Sequence, residues 1–224
     1  MVCVNISSFE TQDLSAMATM LIVDDHPVVR LAVRLLLEKA GHSVLGETGD
    51  GVETLGMVRA LKPDVVLLDL DIPKLGGLEV IARLQAFSVV PKILVLSSQN
   101  PGFFSGRCMR AGAQGFVYKQ ERTDELMAGV KAVMSGYSFF PSQTLEPLQY
   151  SSVPCSEMQL LESLSDRELN VLRYLALGYT NIQIAGELLI NNKTVSSYKK
   201  RLQEKLGELG VVGLSELAKR HALV

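Results

Sequence analysis

Cysteine is scarce in this chain: three among 224 residues, Cys3, Cys108 and Cys155, far apart and without paired spacing. That excludes a disulfide framework or a cysteine-built zinc site, and it points to a reducing compartment. Apolar runs long enough to cross a bilayer, about 18–20 residues, are missing as well. The first residues lack a basic start followed by a continuous apolar core, so no secretory signal is expected. A soluble cytoplasmic protein with no membrane partner is the expectation. Net charge is nearly absent too, at −2, but it is unevenly spread. Residues 1–163 hold 13 Lys and Arg against 18 Asp and Glu, whereas residues 164–224 hold 9 against 6. Such asymmetry hints that the C-terminal part meets a polyanion.

What is present is enough for two domains. Apolar residues make up 47% of the chain, which supplies real cores, and 21% charged residues exclude wholesale disorder. Residues 1–16 are polar and aperiodic and precede Met17 and Met20. They read as a disordered leader, or as a start codon placed too early. From Met20 the rhythm is a short apolar run followed by a helical pattern, five times over. That predicts an α/β domain over 17–140, a five-stranded parallel (βα)5 sheet with helices on both faces. Met20-Leu-Ile-Val23 is the first strand. Pro27 opens a helix whose buried face is Val29, Val33, Leu36 and Leu37 and which Gly41 ends. Val44 and Leu45 suggest a weaker strand, followed by a helix over roughly 51–61.

The third strand is the most telling. Val65 to Leu68 run straight into Asp69 of Asp-Leu-Asp-Ile-Pro, as in a strand buried on both faces that ends in a carboxylate. Taken alone, Asp69 is most simply a solvated strand end. Four of the five strands, however, end in a polar group: Asp24-Asp25, Asp69, Ser97 and Lys119. In a parallel sheet these ends share one edge, where ligands bind, so three carboxylates, a hydroxyl and an ammonium converge. Adjacent carboxylates are costly unless a cation or hydrogen-bond donors offset their repulsion. Hard oxygen ligands in that number suit Mg²⁺, held by Asp24, Asp25 and Asp69. Asp69 then reads as a nucleophile toward a phosphoryl group, with Lys119 and the metal balancing charge on the transferring oxygens and Ser97 hydrogen-bonding one of them.

Residues 20–135 resemble the receiver domain of bacterial response regulators. The acidic pair falls on Asp24-Asp25, the phospho-acceptor on Asp69, the switch hydroxyl on Ser97, the lysine on Lys119 and the switch aromatic on Phe116. Three positions depart from the common pattern. Gln120 stands in place of proline, Ser97 in place of threonine, and Asp71 adds a carboxylate two residues beyond the acceptor. That extra charge is expected to disfavour an attacking hydroxide or to alter metal affinity.

Residues 141–163 read as a linker rich in Ser, Gln, Pro and Glu with one short helical piece, and Phe139-Phe-Pro141 is expected to pack against the receiver. A second domain follows over 164–224. Ser165 with Glu168 forms a capping box, and Leu169, Leu172, Leu175 and Ala176 form an apolar face ended by Gly178. Asn181 is read as the cap of the next helix, with Ile182, Ala185 and Leu188 or Leu189 inward. Asn191 caps a third helix, Lys193 to Leu206, with Val195, Tyr198, Leu202 and Leu206 inward. On its other side Lys193, Ser196, Ser197, Lys200 and Arg201 combine small hydroxyls with cations, which suits a major groove. Two short helices with a tight turn, the second bearing this face, follow helix-turn-helix logic.

The stretch from Leu164-Ser-Asp-Arg-Glu168 through Asn192-Lys-Thr-Val195 resembles the C-terminal domain of the LuxR/NarL/FixJ class. The run Asn191 to Lys199 is similar to a narrower BvgA/EvgA-like subgroup. By matched position, Ser196, Ser197 and Lys200 would touch base edges, while Lys193, Thr194, Tyr198, Lys199 and Arg201 would lie near phosphates. The resemblance implies a transcription factor switched at Asp69 by a sensor histidine kinase, of the hybrid kind in that subgroup. It also implies a phosphorylation-driven homodimer on two-fold DNA sites, with RNA polymerase as a further partner. The last helix, roughly 211–220, would be its dimer element, weakened by Gly210 and Gly213. Two alternatives stand beside it. One is a DNA-binding regulator independent of phosphorylation. The other is an aspartyl-phosphate phosphohydrolase, since Asp69-Leu-Asp71 satisfies that motif as well.

Overall fold

The computed structural model describes residues 17–120, 123–141, 155–207, 209–221 and 223–224. The leader expected over 1–16, and most of the linker, 142–154, lie outside the described residues. The first unit alternates β1 (Thr19–Val23), α1 (Pro27–Lys39), β2 (Ser43–Thr48), α2 (Gly51–Leu61), β3 (Val65–Leu68), α3 (Gly77–Leu84), β4 (Lys92–Ser97), α4 (Pro101–Ala111), β5 (Gly115–Tyr118) and α5 (Thr123–Met134). All strand pairs are parallel, in the order β2-β1-β3-β4-β5. The doubly wound sheet read from the sequence is therefore present, and β2 is longer than Val44 and Leu45 suggested.

The pleat sorts the core. Met20, Ile22, Val65, Leu67 and Val117 face α1 and α5. Leu21, Val23, Val66, Leu68 and Phe116 face the opposite side, toward α2, α3 and α4. A sheet covered on both faces explains why β3 is apolar at every position and wholly buried. After α5 the chain returns to the sheet: Phe139 bridges Gly115, and its carbonyl accepts from the Phe116 N–H at 2.7 Å. The packing expected of Phe139 is thereby explained.

Gly77 fixes the loop that follows β3. A Cβ there would lie 2.5 Å from the Asp69 carbonyl and 2.7 Å from Leu70 Cα, both backbone atoms that cannot yield. Only glycine lets the start of α3 sit against this loop, with its N–H bonded to the Leu70 carbonyl at 3.1 Å.

The second unit comprises α6 (Cys155–Glu162), α7 (Asp166–Ala176), α8 (Asn181–Glu187), α9 (Asn192–Leu206) and α10 (Val211–Arg220). Ser165 and Glu168 close the expected capping box on α7, and Asn191 caps α9 through the Thr194 N–H at 2.7 Å. At α8 the sequence reading needs correction. Thr180, not Asn181, is the cap, in its own capping box with Gln183. Ile182 is 75% exposed, and Ile184 is the fully buried residue. A cap one residue earlier rotates the inward stripe, so Ile184 and Leu188 take the core and Leu189 turns outward. On α10, Gly210 makes no side-chain cap. Gly213 has a packing reason, since a Cβ there would press Leu209 at 3.3 Å.

One apolar cluster runs through both units, from Val95 and Phe104 to Leu161, Leu164 and Leu172. Arg107 of α4 bolts this junction. Its guanidinium donates to the carbonyls of Leu161 at 2.9 Å, Leu164 at 3.0 Å and Glu162 at 3.3 Å, and pairs with Asp166 at 3.1 Å. Leu161 and Glu162 lie in the last turn of α6, where carbonyls run short of helical N–H partners, and a buried cation supplies further donors. The second half of the expected linker is thus a docked helix.

Glu168 is a buried carboxylate of the second unit, bonded to Ser165 and to Lys205 at 2.7 Å. Burial works against its charge, but Lys205 and the Ser165 donors outweigh that and hold its pKa below the ordinary glutamate value. A depressed carboxylate stabilises the fold above its unfolded pKa and loses that contribution as pH falls through the folded value. Glu168→Gln should therefore cost about 2 kcal/mol at neutral pH. In urea titrations the gap from wild type should close as pH is lowered past about 4; a gap independent of pH would mean that the charge contributes nothing.

Candidate functional site

Four strand ends meet at the carboxyl edge of the sheet. β1 delivers Asp24 and Asp25, β3 delivers Asp69, β4 ends in Ser97, and Lys119 follows β5. Asp69 is held from several sides. Its backbone N–H donates to the Val23 carbonyl at 2.8 Å, Leu70 N–H donates to its Oδ1 at 2.7 Å, and Lys119 Nζ donates to its Oδ2 at 2.7 Å. The same ammonium lies 2.7 Å from Asp24 Oδ2. Asp24 Oδ1 accepts from the His26 N–H at 2.9 Å, and its carbonyl accepts from Arg30 at 2.6 Å. Asp24 and Asp69 are each 2% exposed; Asp25 is more open and lies 2.6 Å from His26 Nδ1.

Burial raises the Asp69 pKa above the ordinary carboxylate range; Lys119 opposes this, and the charges of Asp24 and Asp71 add to it. Burial also works against the charge of Lys119, but Asp69 and Asp24 outweigh it and the ammonium is held more firmly than usual. The site is therefore short of positive charge. Among the described residues, one lysine serves two buried carboxylates and the third pairs with a neighbouring histidine.

Asp24, Asp25, His26 and Asp69 each offer a ligand atom within 4.8 Å of the others. Three carboxylate donors, one of them accessible, match what a small hard cation such as Mg²⁺ takes while keeping waters of its own. The sequence reading named the three aspartates; His26, immediately after the acidic pair, also lies within reach of the group. Ser97 is fully buried, and its Oγ accepts from the Gln99 N–H at 3.3 Å. Phe116 is 1% exposed in the core on the α4 side, one strand turn back from Lys119 rather than among the carboxylates.

The second candidate surface is α9. Val195, Leu202 and Leu206 are buried, Tyr198 is half-buried, and Lys193, Ser196, Ser197, Lys200 and Arg201 are exposed. Ser196 and Ser197 turn their hydroxyls back onto the carbonyls of Asn192 and Lys193, at 3.2 and 3.1 Å. Arg201 lies 5.7 Å over the Tyr198 ring. Thr194 is tied to the cap residue Asn191 at 2.9 Å. Asn181, at the start of α8, donates to Ser196 Oγ at 3.4 Å and accepts from Lys199 at 3.2 Å. It belongs to this face, although the sequence reading used it only as a cap. The result is a helix edge of small hydroxyls and cations, open along its length.

Comparison with known proteins places both halves. Residues 20–131 match the response regulator receiver domain, and residues 162–218 match the bacterial regulatory proteins of the luxR family. The chain is 49% identical over 203 residues to BvgA of Bordetella pertussis, covering 91% of this chain and 97% of that one. To the DNA-binding transcriptional activator EvgA of Escherichia coli K12 it is 37% identical, covering 91% and 98%. RcsB of Salmonella enterica serovar Typhimurium, solved bound to promoter rprA with the phosphomimetic BeF3⁻, superposes with a TM-score of 0.66 at 26% identity over 90% of this chain and 98% of that one. With both domain matches in sequence order and relatives aligned over nearly its whole length, the chain belongs to the luxR family of two-component response regulators, which control transcription.

Proposed function

We propose that Asp69 is the phospho-acceptor of this regulator, that Asp24, Asp25 and Asp69 hold Mg²⁺, and that α9 reads DNA. The observation carrying this is the Lys119 ammonium at 2.7 Å from both Asp69 and Asp24. A buried carboxylate with a cation already beside it is a nucleophile whose product charge is provided for. In the transfer, an Asp69 carboxylate oxygen bonds to phosphorus while the bond from phosphorus to the donor's imidazole nitrogen breaks, the electron pair remaining on that nitrogen. Bound Mg²⁺ would neutralise charge on the transferring oxygens. Lys119 is placed to hold one of those oxygens, and Ser97, at the neighbouring strand end, to hydrogen-bond another. The donor is a sensor histidine kinase in the cytoplasm.

Phosphorylation favours a homodimer, which pairs two α9 helices on two-fold DNA sites, with RNA polymerase as a further contact of the bound regulator. Pairing raises affinity because the second helix binds at the effective concentration set by the first. Ser196, Ser197 and Lys200 face base edges; Lys193, Thr194, Tyr198, Lys199 and Arg201 serve phosphates. The printed names of the relatives support this reading, as does the promoter complex of RcsB.

Treated with acetyl phosphate, the protein should take up one alkali-labile phosphate and shift toward dimer. Asp69→Asn should do neither, and DNA affinity equal to that of the treated wild type would support a phosphorylation-independent regulator instead. Millimolar Mg²⁺ should raise the melting temperature of the receiver by offsetting carboxylate repulsion, and Asp25→Asn should remove most of that increment; an increment retained in full would place the ion elsewhere. Lys200→Ala should weaken DNA binding and, if Lys200 instead contacts phosphate, lower the slope of log affinity against log salt by about one. An unchanged slope with relaxed sequence preference would assign it to base edges.

A further inference from the structure

Ser196 and Ser197 of α9 both turn their hydroxyl protons onto the helix itself, Ser196 to the Asn192 carbonyl at 3.2 Å and Ser197 to the Lys193 carbonyl at 3.1 Å. A bond to the carbonyl four residues back is open to any serine in a helix. At Ser196 a second group takes part. The side-chain amide of Asn181, half-buried at the start of α8, donates from Nδ2 to Ser196 Oγ at 3.4 Å and accepts at Oδ1 from Lys199 Nζ at 3.2 Å. Ser197 is held by its back-bond and by no such amide among the described residues.

The direction of this chain of bonds is fixed at both ends. An ammonium only donates and a backbone carbonyl only accepts. Lys199 must therefore face the amide oxygen of Asn181, which leaves the amide NH₂ to face Ser196. At the other end the Asn192 carbonyl must receive the Ser196 proton. A hydroxyl has one proton and two lone pairs. The proton and one lone pair of Ser196 are taken, so a single lone pair remains for whatever approaches from outside.

We propose that Asn181 makes Ser196 an acceptor-only reader of DNA, so that the base facing it presents an exocyclic amino group, N6 of adenine or N4 of cytosine. This rests on the reading of α9 as the helix that enters the major groove. Guanine O6 and thymine O4 are acceptors and would set lone pair against lone pair. To serve them Ser196 would have to leave the Asn192 carbonyl, and Asn181 holds its oxygen beside that carbonyl. Lys200, one turn further along the same exposed face, only donates and suits the opposite set, guanine O6 and N7. Asn181 touches no base in this scheme. It is a positioning residue that acts through Ser196.

The test uses the full chain, treated with acetyl phosphate and Mg²⁺, and a site recovered by repeated selection from random duplex DNA. Comparing wild type with Ser196→Ala locates the base pair that Ser196 reads. In one duplex its adenine is replaced by purine, or its cytosine by pyrimidin-2-one, which deletes the amino group alone. In another its guanine or thymine is replaced by the 6-thio or 4-thio base, which weakens the acceptor and keeps the pairing. Deleting the amino group should cost the wild type about tenfold in affinity and cost Ser196→Ala nothing, while the thio base is tolerated. Asn181→Leu, which keeps the Thr180 cap and frees the Ser196 oxygen, should lose most of that tenfold discrimination while the other positions of the site keep theirs. A loss on the thio base and none on the amino-deleted one would overturn the proposal. So would an Asn181→Leu variant that binds every duplex equally more weakly, because Asn181 would then serve only Lys199 or the fold. A Ser196→Ala variant with every base preference intact would overturn it too. Failure of the wild type to select any DNA would instead remove the reading of α9 on which the proposal rests.

Discussion

Two buried carboxylates, Asp24 and Asp69, are held together by one ammonium between them, and the rest of the receiver is arranged to make that possible. Lys119 is anchored by its own N–H to the Ser97 carbonyl at 2.9 Å, so the cation is set by strand pairing and not by a flexible loop. β3 must be buried on both faces to carry Asp69 to the same edge, which in turn demands helices on both sides. The burial that makes the charges costly also makes them responsive, since each added charge is felt strongly where water is scarce.

The second domain is not tethered at a distance. α6 and α7 extend the apolar layer that lies against α4, and Arg107 closes it with bonds to backbone carbonyls. This gives the junction two kinds of contact. Apolar area and backbone bonds are insensitive to charge at the acceptor. The other kind is ionic, with Arg167 paired to Glu79 and Arg173 to Asp71.

The sheet was legible because each strand is a short apolar run with a distinct polar end, and a parallel sheet gathers those ends without further information. The inward stripe of α9 was legible from its 3.6-residue period. The cap of α8 was misread because Thr180 and Asn181 are both good caps, and only the reciprocal bond from Gln183 decides between them. Arg107 and Arg173 carry no local signal at all: each looks like an ordinary helical cation, and their partners lie 59 residues away at Asp166 for Arg107 and in the other domain for Arg173. Asp71 stood out in sequence as an extra charge, but its partners Gln99 and Arg173 are distant in sequence and carry no local signal. Gly213 looked like a defect in α10 until Leu209 was found against it.

The open face of α9 sets how such a regulator relates to its own abundance. Among the described residues none is laid over the exposed face of α9, so under the proposed mechanism an unmodified chain would differ from a modified one in its tendency to pair and not in that face. Pairing follows mass action, so raising the number of chains in the cell substitutes in part for the signal. The background output of the circuit is then set by the rate of synthesis, and a gene that controls its own supply would move the threshold at which the sensor is heard.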